Sequence, residues 1–267
     1  MSGPGADTVP PVVLCFPAEL RFFLPVRHRS GEVPVTPDGT STLGHVVQSA
    51  GVPLTEVGSL TVDGTPQPPG HRPRGGERVR VEAVGRPQPV PGGGTPRFLL
   101  DVHLGALARR MRVVGLDAAY PVDADAAQDA ALVEQAGTQR RILLTQDRGL
   151  LRRRALWLGA YVRGDRADGQ LTDVLERFAP PLAPWTRCTA CNGLLRPVAK
   201  ADVAHLLQPG TRRTYDTFAR CRRCGRVYWR GAHGGRLEEA VAAARAVSRG
   251  SGLGGGTDSG GAYGHAE

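Results

Sequence analysis

The chain has 267 residues, enough for two domains or a domain with appendages, and its 34 Lys+Arg against 25 Asp+Glu leave a formal charge of +9 and a pI near 10.0. A balance of this size favours polyanionic partners, because phosphates attract it at long range. No apolar stretch approaches the roughly 20 residues of a membrane span and the first ten residues lack a secretory pattern, so a cytoplasmic protein off the membrane is expected, one in which clustered thiols serve as metal ligands rather than disulfides.

Residues 1–10 read as a disordered end. Residues 11–84 are β-rich, with strands at Val12–Phe16, Glu32–Val35, Leu60–Val62 and Arg78–Glu82 and one short helix over Thr42–Ala50 that stops at Gly51. Asp63-Gly64 is a hairpin-turn signal, and Cys15, inside an apolar strand, reads as a core residue. Residues 85–96 are a Pro/Gly linker.

The period then changes. A strand over Arg97–Asp101 leads into a helix with Leu104, Leu107, Met111 and Val114 on one stripe, stopped at Gly115. A helix over about 125–136, capped by Asp125, precedes a strand at 141–145. A helix over about 148–157, a strand at Ala160–Val162 and a helix carrying Leu171, Val174, Leu175 and Phe178 complete a unit spanning 97–183. Alternating strand and helix predicts an α/β fold with a parallel sheet covered on both faces. Residues 184–247 form a cysteine-bearing module with an alanine-rich helix over 237–247, and 248–267 read as a disordered tail.

Cys188-Thr-Ala-Cys191 and Cys221-Arg-Arg-Cys224 are two CxxC pairs in one small module, the donor set of a structural zinc site. Asn192 and Gly225 follow the second cysteine of each pair and tolerate the left-handed backbone of a zinc knuckle. The arginines of the module alternate with Tyr215, Phe218, Tyr228 and Trp229. Such interleaving suits single-stranded nucleic acid, and equally a solvated basic face over a small aromatic core.

Two apolar strands end at aspartates, Asp101 and Asp147, where open α/β sheets place their chemistry. With Asp129 on the intervening helix, they make a set that can hold Mg²⁺ or Mn²⁺ for phosphodiester hydrolysis. Asp165, after the strand ending near Val162, is a weak fourth candidate. Asp101 and Asp147 also read as helix caps, each worth about 1 kcal/mol.

On Phe98-Leu-Leu-Asp101, Leu107-Ala-Arg-Arg-Met-Arg-Val-Val-Gly-Leu-Asp117, Arg141-Ile-Leu-Leu-Thr-Gln-Asp147 and the two CxxC pairs, residues 97–245 resemble the Mut-seven C-terminal ribonuclease domain, a PIN-like nuclease module with an attached zinc ribbon. The resemblance implies a metal-dependent ribonuclease with acids at Asp101, Asp129 and Asp147; His233 matches the family pattern without an assigned role. Through Val62-Asp63-Gly64 and Gly76-Glu-Arg-Val-Arg-Val81, residues 11–84 are similar to a ubiquitin-like β-grasp domain of the sulfur-carrier type. Carriers end in a free Gly-Gly; here Gly92-Gly-Gly94 is internal, which points instead to docking of a protein partner or positioning of RNA. The expected function is hydrolysis of RNA with a carboxylate-bound Mg²⁺ or Mn²⁺, the basic zinc ribbon positioning the substrate. The alternative is a non-catalytic RNA- or protein-binding adaptor on an inert PIN-like core.

Overall fold

The computed structural model describes residues 9–121, 123, 125, 127–229 and 234–251. The N-terminal sheet has five strands, β1 (Val12–Cys15), β2 (Glu32–Val35), β3 (Val57–Val62), β4 (Thr65–Pro66) and β5 (Arg78–Ala83), in the order β2-β1-β5-β3-β4. The central β1–β5 pair is parallel and its flanking pairs are antiparallel, and with helix α1 (Leu43–Ser49) across it the domain is a β-grasp. Thr42 caps α1 by accepting the His45 N–H at 3.3 Å. Asp63 and Gly64 both take positive φ, 46° and 84°, as the tight turn from β3 to β4 requires. Alternation along β1 sends Val12 and Leu14 into the core. Cys15 therefore faces the other way and is half-buried, not a core residue.

The second domain is built on four parallel strands, β6 (Phe98–Leu100), β7 (Ala118–Ala119), β8 (Ile142–Thr145) and β9 (Gly159–Tyr161), ordered β7-β6-β8-β9. β6 and β8 are buried throughout because helices cover both faces. Phe98, Leu100, Ile142 and Leu144 pack under α2 (Gly105–Val113) and α5 (Ala167–Phe178). Their neighbours Leu99 and Leu143 point to the opposite layer, formed by α3 (Asp129–Thr138) and α4 (Arg148–Leu151). This is the three-layer α/β arrangement the alternation predicts.

Two helices of this domain differ from expectation. α3 starts at Asp129, and Asp125 does not cap it; Asp125 heads a turn, accepting the Gln128 N–H at 3.2 Å. α4 ends at Leu151 because Arg152 and Arg153 close turns instead of continuing the helix.

The C-terminal module holds a three-stranded antiparallel sheet, β10 (Leu195–Val198), β11 (Phe218–Cys221) and β12 (Val227–Trp229), with short helices α6 (Lys200–Val203) and α7 (Pro209–Thr214) between its first two strands. Helix α8 (Gly234–Ser251) is longer at both ends than the expected 237–247 and runs into the segment read as tail. Val241 and Ala244 on α8 are buried in the core shared with α5. His233 and residues 252–267 lie outside the described residues.

The β-grasp domain is seated on the edge strand β9. Glu56 accepts the Tyr161 N–H at 2.9 Å and pairs with Arg177 of α5. Arg148, the first residue of α4, donates to the Phe22 and Phe23 carbonyls at 3.1 and 2.8 Å and lies over the Phe23 ring. Arg152 and Arg163 reach the Gly51 and Glu19 carbonyls at 2.9 and 3.0 Å. The linker is laid along α5, with Arg86 2.8 Å from Asp173 and Gln88 accepting from Arg177 at 2.8 Å.

Candidate active site and metal centre

In a parallel sheet all carboxyl ends share one edge, and each connecting helix begins at that edge. β6, β8 and β9 therefore bring Asp101, Asp147 and Asp165 to the same side, and the first turn of α3 brings Asp129 there. Asp101 is only 5 % exposed. The Thr145 hydroxyl donates to it at 2.6 Å, and the His103 N–H lies at 3.4 Å. The same Thr145 oxygen accepts the Asp147 N–H at 2.9 Å, so one hydroxyl joins the two strand ends. Asp147 is exposed and caps α4 by accepting the Gly149 N–H at 2.6 Å. Gln146, between them, fastens this turn to the end of β9 through the Val162 and Gly164 carbonyls at 3.1 and 2.7 Å.

Among the described residues, neither Asp101 nor Asp147 has a cationic partner, whereas Asp129 pairs with Arg153 at 3.0 Å. A buried carboxylate without a counter-charge is costly, and Asp101 is one. Asp165 is exposed on the loop after β9. The acids are not drawn into a closed cluster: among the described residues, the four cysteines are the only three or more potential ligands with donor atoms within 4.8 Å of one another. Mg²⁺ keeps several waters and takes one or two protein carboxylates, so an open set led by buried Asp101 fits such an ion.

The cysteines do form a closed centre. Sγ atoms of Cys188, Cys191, Cys221 and Cys224 lie within 4.8 Å of one another and could hold a zinc ion. Asn192 and Gly225 take φ of 65° and 73°, the left-handed turns expected of the knuckles. Backbone N–H groups of Cys191 and Arg223 point at the Cys188 and Cys221 sulfurs, both at 3.4 Å. Burial pushes the Cys191 thiol up to about 12. At Cys188 burial also acts upward, but the Tyr228 hydroxyl at 3.0 Å and nearby backbone N–H groups outweigh it and bring the thiol down to about 6.

Sequence reasoning missed how the knuckle is moored. The Asn192 amide donates to Asp117 at 2.8 Å and its Oδ1 accepts the Ala118 N–H of β7 at 3.1 Å. Asp117 also takes Arg141 at 2.6 Å and Arg187 at 3.4 Å. Burial would raise the Asp117 pKa, but Arg141, Asn192 and Arg187 together hold it below the ordinary 3.8. Arg112 donates to the Thr189 and Ala190 carbonyls at 2.9 and 3.0 Å. Gly115 permits the close approach: a Cβ there would lie 1.8 Å from the Ala183 carbonyl oxygen.

A family model described as the Mut7-C RNAse domain matches residues 96–241, more than half of the chain. The chain belongs to the Mut7-C family. The Mut7-C ubiquitin model matches residues 9–88, over the β-grasp. No curated protein and no solved structure matches. The Mut7-C RNAse domain gives the chain a nuclease-like character, and its match spans both the acidic edge and the cysteine centre. Among the described residues, no helix is long and apolar enough to cross a membrane.

Proposed function

We propose that this Mut7-C protein is a ribonuclease that hydrolyses RNA phosphodiesters at the carboxyl edge of the β7-β6-β8-β9 sheet, with Mg²⁺ or Mn²⁺ bound there. The observation that carries the proposal is Asp101, a buried carboxylate with no cationic partner among the described residues, held by Thr145 beside Asp147. Asp101 would hold the ion, with Asp147 and Asp129 as further ligands and Asp165 as a fourth acid. Such an ion lowers the pKa of an attacking water and offsets charge at the leaving oxygen. Thr145 fixes one oxygen of the Asp101 carboxylate; the other accepts the His103 N–H at 3.4 Å and would share its remaining lone pair with the ion. Gln146 keeps the turn closed on β9. The zinc ribbon, moored through Asn192, positions the RNA, and the β-grasp domain offers a surface to a protein partner. Cysteines grouped as metal ligands rather than paired in disulfides fit a cytoplasmic setting.

The adaptor reading has one observation in its favour: Asp101 and Asp147 both accept backbone N–H groups as helix caps. Labelled RNA incubated with zinc-loaded, magnesium-free protein, then with added Mg²⁺ or Mn²⁺, separates the two. Metal-dependent cutting that disappears in Asp101→Asn and Asp147→Asn, with circular dichroism unchanged, supports the ribonuclease. RNA binding without metal-dependent cutting supports the adaptor.

A further inference from the structure

A groove of about 820 Å³ lies between helix α2 and the zinc ribbon. We propose that it holds a single-stranded segment of RNA and leads it to the acidic edge of the sheet, an inference that rests on the ribonuclease reading for its direction.

Three observations meet in this groove. The first is aromatic surface. Trp185, Tyr228 and Trp229 line it, and Trp229, tilted against Phe218 at 6.5 Å between centroids, is still 42 % exposed and offers ring surface for stacking. Stacking on such rings serves every base and is open only to unpaired ones.

The second is charge. Arg109, Arg110, Arg187 and Arg196 line the groove, and among the described residues no aspartate or glutamate does. Arg110 and Arg187 are matched by Asp168 and Asp117. Arg109 donates to the Gly105 carbonyl, and neither it nor exposed Arg196 is matched by a carboxylate among the described residues. Two unmatched guanidiniums beside one exposed and two half-buried rings suit a chain of alternating phosphates and bases better than an apolar peptide.

The third is direction. The lining follows α2 from Ala106, in its first turn, to Val113, its last residue, and takes in Ala167 in the first turn of α5. Those turns begin at the edge that carries Asp101 and Asp165. Trp185 lines the groove at the Val113 end of α2, held at φ 67° with its N–H on the Val113 carbonyl at 3.2 Å. A bulky residue in left-handed backbone is strained, and such strain gathers where a side chain must be aimed.

The test is fluorescence anisotropy of a labelled ten-nucleotide oligouridine with the full chain, zinc retained and magnesium absent. Affinity is expected to fall about tenfold in Trp229→Ala and again in R109A/R196A, to survive in Trp229→Phe, and to stay unchanged in Arg29→Ala on the β-grasp domain. An oligouridine–oligoadenine duplex should bind less tightly. If Trp229→Ala loses zinc, the exposed arginine pair decides. Unchanged affinity in R109A/R196A, equal binding of the duplex, or full displacement by polyglutamate would overturn the groove. Weakened binding in the groove variants of a protein that never cuts RNA would sink the ribonuclease reading and leave the groove standing. Cutting by a protein whose affinity ignores these variants would do the reverse.

Discussion

Glu56 of the β-grasp domain and Arg177 of helix α5 form an ion pair at 2.7 Å with both side chains only 2 % exposed. Every remaining polar atom of the pair is used: Glu56 also takes the Tyr161 N–H, and Arg177 also reaches the Thr55 carbonyl and Gln88. A fully bonded buried pair adds little net stability over an apolar pair, but loss of one partner strands the other. Arg177→Ala should therefore cost about 3–5 kcal/mol in urea unfolding. The double variant E56Q/R177M should cost much less than the two single losses combined.

The hydroxyl shared by Asp101 and Asp147 gives a second prediction. Thr145→Val keeps the buried volume but removes the donor to Asp101. Under the ribonuclease reading, metal-dependent cutting should fall about 10–100-fold, and Thr145→Ser should restore most of it. Full activity in Thr145→Val would show that the hydroxyl serves the cap alone.

At the mooring of the knuckle, pH enters. Arg141, Asn192 and Arg187 keep Asp117 ionised below its ordinary 3.8, so the stabilisation is present above the unfolded value and is lost as pH falls through the depressed one. Asp117→Asn should thus be less stable than the natural chain by an amount that is constant across neutral pH and shrinks only on strong acidification. Thermal unfolding at a series of pH values checks this. A gap that widens on acidification would contradict it.

Removal of zinc should act locally first. Cys221→Ser is expected to lose zinc by elemental analysis and to release the knuckle, read as loss of the Asn192 and Ala118 contacts in amide exchange. Protection of β6 and β8, buried on both faces, should persist.

What was legible in the sequence was what depends on neighbours along the chain. β6 and β8 announced themselves as short apolar runs because both faces are covered, and the CxxC spacing carried the metal centre with its two left-handed turns. The end of α4 was not legible: Leu156 and Trp157 extend its apolar pattern, yet the chain turns at Arg153. The contacts that join the parts were silent for another reason. Asn192 and Asp117 are 75 residues apart, and Glu56 and Arg177 are 121. Polar pairs at such separations leave no periodicity. The linker likewise reads only as a Pro/Gly boundary, with no sign that Arg86 and Gln88 anchor it on α5.

That anchored linker has a consequence for how the protein comes apart. When the β-grasp lets go of β9 it stays tied by a dozen residues, so its local concentration remains on the order of millimolar and return is far quicker than capture by a rival. Separation of the two lobes is then a flicker within one molecule, independent of dilution. An outside protein that prises them apart has to outcompete a partner that never leaves.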